Sequence, residues 1–318
     1  MNILEIQNLV TEFDLQSGTL RAVDEVSFAV KKGEVLGIVG ESGCGKTVTA
    51  LSILRLLDFP AKIKSGQILF EEKNLLQMPE KEMLKIRGNK IAMIFQEPMT
   101  ALNPVYTVGD QIMEGMLAHR NISKKEARAK TIELLVQVGI PDAERRLSDY
   151  PHQMSGGMRQ RIMIAIALAC EPEILIADEP TTALDVTIQA QILDLIQKVI
   201  RERQMTLILI THDLGVVAQT CDRVLVMYAG KIVEEAPVAL LFRRPKHPYT
   251  RGLLESMPLL GKRQGLLKTI PGSVPNLLNL PEGCRFADRC PRVAHACHLK
   301  IPELRNRGEG QWVRCINT

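Results

Sequence analysis

The stretch GESGCGKT, residues 40–47, fits the pattern G-x-x-x-x-G-K-[ST]. Glycines at 40, 43 and 45 let backbone N–H groups converge on phosphate oxygens at the positive end of a helix. Lys46 adds a point charge and Thr47 a hydroxyl for Mg²⁺. The candidate phosphate cradle is therefore Gly40, Ser42, Gly43, Cys44, Gly45, Lys46, Thr47 and Val48, with Cys44 filling space inside it. Downstream, ILIADEP (174–180) ends an apolar run in two acids. Asp178 is placed to hold a metal through water, and Glu179, one residue on, to polarise an attacking water.

These groups need rigid elements behind them. Three short apolar runs bounded by turn residues, EVLGIVG (34–40), EILIADEP (173–180) and TLILITHD (206–213), read as strands buried on both faces of a mainly parallel sheet. The class is α/β. LEIQNLVTEF, AVDEVSFAV and SGQILFE carry the alternation of an additional antiparallel β layer. Between about 97 and 155 the pattern is helical, and Ser123 with Glu126 forms the sequence of a capping box. Beyond PKHPYTRGLLESMP (245–258) proline and glycine become frequent, as in IPGSVPNLLNLPEG, which places a linker near 235–260 and a small loop-rich unit after it.

Composition sets limits on this reading. Of 318 residues 46% are hydrophobic and 24% charged, an ordinary soluble balance. No apolar run approaches the roughly 18 residues of a spanning helix. The first residues carry acids and no basic n-region, so no secretory signal is expected, and a reducing compartment follows. The net +4 divides unevenly, +9 over residues 243–318 and −5 over the rest. Such a basic tail suits an anionic partner or a merely solvated surface.

With these motifs in place, the stretch MSGGMRQR (154–161) resembles the signature of ATP-binding subunits of ABC transporters. The resemblance covers roughly residues 3–235. It implies a P-loop NTPase fold of the ABC type, with parallel core, antiparallel β subdomain and helical subdomain over residues 1–240, followed by an extension at 241–318. It also implies hydrolysis of ATP between two facing subunits. Ser155, Gly156 and Gly157 would reach the nucleotide of the opposite subunit; Met154 and Met158 stand where the family usually has Leu and Gln. By the same resemblance Gln96 ligands Mg²⁺, Asp185 in ALD (183–185) belongs to the subunit contact, His212 meets the γ-phosphate, and Phe13 stacks on adenine.

FQEPMTALNPVYTVGDQI and RRPKHPYTRGLLESMP closely resemble the ATPase subunits of dipeptide and oligopeptide importers, a group that includes nickel importers. The partners so implied are a second ABC ATPase, two membrane permeases and, indirectly, an extracytoplasmic binding protein, at the cytoplasmic face of the membrane. No nucleic acid is expected. A soluble ABC ATPase acting on nucleic acid or ribosomes would suit the basic tail, but only Phe286 and Trp312 lie near the cysteines to stack on bases.

Four of the seven cysteines, Cys284, Cys290, Cys297 and Cys315, fall in the tail. In a reducing compartment that favours metal over disulfides. Zinc sites usually show tighter Cys pairs, and the gaps differ from common ferredoxin runs. The resembling group carries similar tails, in some members with a [4Fe–4S] cluster, which is the expectation here. Arg285, Arg289, Arg292 and Arg314 would offset its charge and the metal would act as a staple. Zinc, with His295 or His298 replacing a thiolate, and unliganded thiols remain the alternatives. Cys170 and Cys221 read as small buried apolar residues.

Overall fold

In the computed structural model, which describes residues 1–97, 101–181, 185–257 and 269–318, the chain forms two compact units. Met1–Gln77 and Leu209–Thr318 make one; Met78–Ile208 make the other.

The first unit begins with a long hairpin. β1 (Asn2–Leu15) and β2 (Gly18–Lys31) pair antiparallel, Leu15 facing Gly18 across the turn and Phe13 facing Leu20. β4 (Ala61–Phe70) joins the other side of β1, with Phe13 opposite Ala61, and β5 (Lys73–Asn74) closes the sheet. This is the antiparallel layer that the alternating pattern predicts. Leu4, Ile6, Leu9, Val23 and Val30 lie on its buried face, each at most 1% exposed.

The same unit holds β3 (Val35–Val39), parallel to β9 (Arg223–Tyr228), which turns back through Ala229 and Gly230 into antiparallel β10 (Lys231–Pro237). β3 and β9 are buried almost throughout, as strands covered on both faces must be. The carboxyl end of the chain adds to this sheet: β12 (Trp312–Val313) pairs with β10 and β11 (Arg305–Asn306) with β12.

The stretch that reads as a linker is ordered differently. Val238–Arg243 and Pro248–Glu255 are helices, the second opened by His247, whose Nδ1 accepts the Tyr249 N–H at 3.1 Å. Proline signals a break inside a helix but fits its first turn, and Pro248 occupies that position. Composition alone does not separate the two uses.

In the second unit β6 (Ile91–Ile94) lies parallel to β7 (Ile174–Asp178), and every residue of both is buried. The helical pattern gives Val108–His119 and Lys124–Gln137. Thr107 caps the first through the Asp110 N–H, and Ser123 and Glu126 form the reciprocal box that starts the second. The backbone N–H and the hydroxyl of Ser123 both donate to the Glu126 carboxyl and hold it below its ordinary range. Gly156–Leu168 and Val186–Arg203 follow. β8 (Thr206–Thr211), wholly buried, carries the chain back into the first unit.

Candidate functional site

β3 delivers the chain directly into the phosphate loop, and the loop runs into the helix Lys46–Leu54. Gly45 stands at φ +104°, and a Cβ there would fall 2.4 Å from the Ala22 carbonyl oxygen. A Cβ on Gly40 would meet the Met227 carbonyl oxygen at 2.2 Å and Cys44 Sγ at 2.7 Å. Both positions are thus closed to any side chain. Gly43, also at positive φ, would carry a Cβ with nothing within 4 Å, so this position of the loop faces open space. Gly45 supplies no side-chain cap to the helix, which leaves the first N–H groups for an anion.

Lys46 is 5% exposed and folds back on its own loop, Nζ donating to the carbonyls of Gly40 at 2.8 Å and Glu41 at 3.2 Å. Thr47 and Val48 are half-buried and Ser42 is exposed at the rim. Cys44 is fully buried beneath Gly40, and burial pushes its thiol pKa up, as a space-filling residue requires. Cys170 and Cys221 are likewise buried thiols. Phe13 is half-buried in β1, and His212 is exposed just past the end of β8, where Asp213 caps the next helix through the N–H groups of Gly215 and Val216.

In the second unit the structure brings Gln96 and Glu179 together, Gln96 Nε2 donating to Glu179 Oε2 at 3.2 Å. Glu179 stands at φ +45°, a left-handed conformation unusual for a residue with a side chain, directly after the buried Asp178. Ser155 caps the helix Gly156–Leu168, its Oγ accepting the Met158 N–H at 3.3 Å, while Ser155 and Gly156 stay exposed. A Cβ on Gly157 would press Ile188 at 3.0 Å. Asp185 caps Val186–Arg203 through the Ile188 N–H at 2.9 Å; Ala183 and Leu184 lie outside the described residues.

The motif reading passes over Gln160. It is 1% exposed and donates Nε2 to the Pro180 carbonyl at 2.5 Å, so the signature helix is tied to the turn that follows Glu179. An amide on the buried face of an apolar helix is the signal that marks it.

Beside the helix Val108–His119 lies a groove of about 680 Å³ lined by Tyr106, Gln111, Met113, Leu117 and Ile166, among others. Val105 and Tyr106 next to it are 73% and 56% exposed.

The tail is anchored by an aromatic cluster. Phe286, 2% exposed, meets Tyr228 of β9 edge-on at 5.2 Å between ring centres, Tyr249 at 5.4 Å and His247 at 5.8 Å. Buried Glu234 takes the N–H groups of Lys246 and His247 and the Gln311 amide at 2.7–2.9 Å. The tail is therefore held by packing against β9 and the helix Pro248–Glu255, besides whatever a bound group would add.

The arginines set near the cysteines in sequence are also redirected. Arg285 pairs with buried Asp24, Arg289 with Glu41, and Arg314 donates to the carbonyls of Ile232 and Pro302. Of the four, Arg292 is the one whose charge favours thiolate at Cys290 and Cys315. The thiols of Cys284, Cys290 and Cys315 are raised, first by burial and also by neighbouring cysteines, Cys297 in each case, Cys284 to about 11. Cys290 Sγ and Cys297 Sγ each accept a backbone N–H at 3.4 Å. The donors fit a thiolate-held group in kind but not in arrangement: among the described residues no three Cys, His, Asp or Glu stand close enough together to hold a metal ion. His295 and His298 are exposed and join no such set.

A family model described as ABC transporter matches residues 23–182. A dimeric post-hydrolysis structure of the ATP-binding cassette MJ0796 with ADP and Pi superposes with a TM-score of 0.67 at 28% identity, over 74% of this chain and 98% of that one. The chain belongs to the ABC transporter family of ATP-binding proteins. A second family model, described as Oligopeptide/dipeptide transporter, C-terminal region, matches residues 233–297. The chain is 56% identical over 316 residues to the probable peptide ABC transporter ATP-binding protein y4tR of Sinorhizobium fredii, covering 98% of this chain and 94% of that protein. To the dipeptide transport ATP-binding protein DppD of Bacillus subtilis it is 54% identical over 314 residues, with 98% and 94% covered.

Proposed function

We propose that this chain is the ATP-hydrolysing subunit of an importer of di- or oligopeptides. The carrying observation is the pairing of Gln96 with a strained Glu179 in a chain whose phosphate loop admits no side chain at Gly40 or Gly45. Peptides as cargo are supported by the match of residues 233–297 and by the names of the relatives.

In this reading the loop N–H groups and Lys46 hold the phosphates, Lys46 exchanging the carbonyls of Gly40 and Glu41 for phosphate oxygens. Phe13 stacks on the base. Thr47, Gln96 and Asp178 are the residues that would hold Mg²⁺; the hydroxyl, amide and carboxylate oxygens fit a hard cation. Mg²⁺ when bound offsets charge on the phosphates. Glu179 takes the proton of the attacking water, and His212 contacts the γ-phosphate. Ser155, Gly156 and Gly157 form an exposed, capped helix start that serves the nucleotide of a second ATPase subunit, with Asp185 in the subunit contact. The groove at Tyr106 and Leu117 receives the membrane permeases, an assembly that also engages an extracytoplasmic binding protein and places the chain at the cytoplasmic face of the membrane. No helix among the described residues is long and apolar enough to cross it. No observation favours action on nucleic acid or ribosomes.

Glu179→Gln tests the assignment: it should keep ATP binding and lower turnover by roughly 10²–10⁴-fold, since one proton-transfer step is removed. Turnover near wild type would remove Glu179 as the base. For the tail, a [4Fe–4S] cluster on Cys284, Cys290, Cys297 and Cys315 is the proposed group and zinc its alternative, supported by the donor type and the two N–H···S bonds alone, since no three donors among the described residues stand close enough to hold a metal ion. Metal analysis of anaerobically purified protein decides it: about four irons with broad visible absorbance support the cluster, and a colourless protein without iron dismisses it.

A further inference from the structure

Glu41 is the only charged side chain in residues 40–45. A carboxylate in a loop that receives a polyphosphate opposes the ligand by like charge. The structure answers this charge from the far end of the chain. Arg289 donates Nη1 to Glu41 Oε2 at 2.6 Å and Nη2 to Oε1 at 2.9 Å, the two-pronged pairing that guanidinium makes with carboxylate. The arginine side chain is 6% exposed and that of Glu41 28%. Arg289 is fixed in turn by its Nε bond to the Pro271 carbonyl at 2.9 Å, by Tyr228 Oη at 3.2 Å, and by lying over the Tyr228 ring at 5.7 Å. From the same side Tyr249 Oη accepts the Glu41 N–H at 2.9 Å. The backbone carbonyl of Glu41 is also one of the two that hold Lys46.

We propose that the C-terminal extension sets the nucleotide affinity of the phosphate loop, with Arg289 as the positioning residue that neutralises Glu41 and holds its limb of the loop. When Lys46 leaves the Gly40 and Glu41 carbonyls for phosphate, that limb stays anchored by Tyr249 and Arg289, and its carboxylate presents little net charge to the ligand. The inference rests on the loop being the nucleotide site.

The test measures equilibrium binding of MgATP and steady-state turnover on the full-length chain. Arg289→Met, which keeps the aliphatic stem and removes the charge, should weaken binding roughly tenfold, with the loss in KM rather than kcat. Arg289→Lys should fall between it and wild type, because an ammonium supplies the charge without the fork. Glu41→Gln alone should bind MgATP as tightly as wild type or tighter, and Arg289→Met with Glu41→Gln should return to within about twofold of wild type. Unchanged affinity in Arg289→Met, or a double variant as weak as the single one, overturns the proposal, since a purely structural arginine gives no such rescue. If Arg289→Met does not fold, Glu41→Gln decides by itself: roughly tenfold weaker binding refutes the charge argument. Lys46→Ala separates the two layers. Binding that survives it overturns the loop as nucleotide site, whereas abolished binding together with a flat Arg289 series defeats this inference alone.

Discussion

The phosphate loop and the cysteine tail are both short, marked by glycines or cysteines, and held in one compact unit, yet they are built on opposite principles. The loop works by subtraction: at Gly40 and Gly45 a single carbon would collide with carbonyl oxygens of Met227 and Ala22. The tail works by addition, burying Phe286 against Tyr228 and Tyr249 and directing its arginines to Asp24 and Glu41. Adding one atom should damage the first, and removing atoms the second.

The largest effect is expected from Phe286→Ala, which empties the centre of the aromatic cluster. Loss of a buried phenyl ring costs about 3–5 kcal/mol, read from the shift in urea midpoint. A loss below about 1 kcal/mol would mean that the tail is held by something other than packing, a bound group being the first candidate.

Next comes a pair within the loop. Gly45→Ala and Gly43→Ala both place alanine at positive φ, so their backbone strain is comparable, but only the first meets an atom, at 2.4 Å. Gly45→Ala should be less stable than Gly43→Ala by about 1–3 kcal/mol, the range for overpacking a filled site. Equal stabilities would show that the loop yields, and the contrast with the tail would lose its basis.

The effect that is smallest at neutral pH concerns titration. Burial pushes His247 from 6.5 down to about 3, with Arg314 acting through an opposing backbone hydrogen bond and a reinforcing charge. The native state therefore keeps this imidazole neutral where the unfolded chain protonates it. Its contribution is complete above pH 6.5 and is lost as pH falls toward 3, at about 1.4 kcal/mol per pH unit. His247→Asn keeps a cap acceptor for the Tyr249 N–H and removes the titration, so denaturation between pH 7 and pH 5 should show a shallower slope. Parallel slopes would remove His247 from the acid sensitivity of the tail.

Legibility followed the range of the interactions. The loop glycines, Ser123 with Glu126, Ser155 as a cap and the acids at the end of β7 are all read from neighbouring residues, because caps, turns and strand ends are set by backbone geometry over a few positions. The strained conformation of Glu179 and the buried amide of Gln160 escaped that reading, since neither residue type announces its environment. The linker expected near 235–260 holds the helices Val238–Arg243 and Pro248–Glu255, because proline both breaks helices and begins them, and Pro248 begins one.

What the sequence determined alone was the α/β class, the glycine-rich loop that follows β3, the order of motifs that marks an ABC ATPase, and the collection of four cysteines in one tail. Only the tertiary structure decided which charges meet. Arg289 stands one residue before Cys290 and 248 positions from Glu41, and it pairs with the distant carboxylate rather than with the thiols beside it. A guanidinium in a buried place is satisfied by whichever oxygens the fold brings within about 3 Å, and chain proximity has no say in that choice.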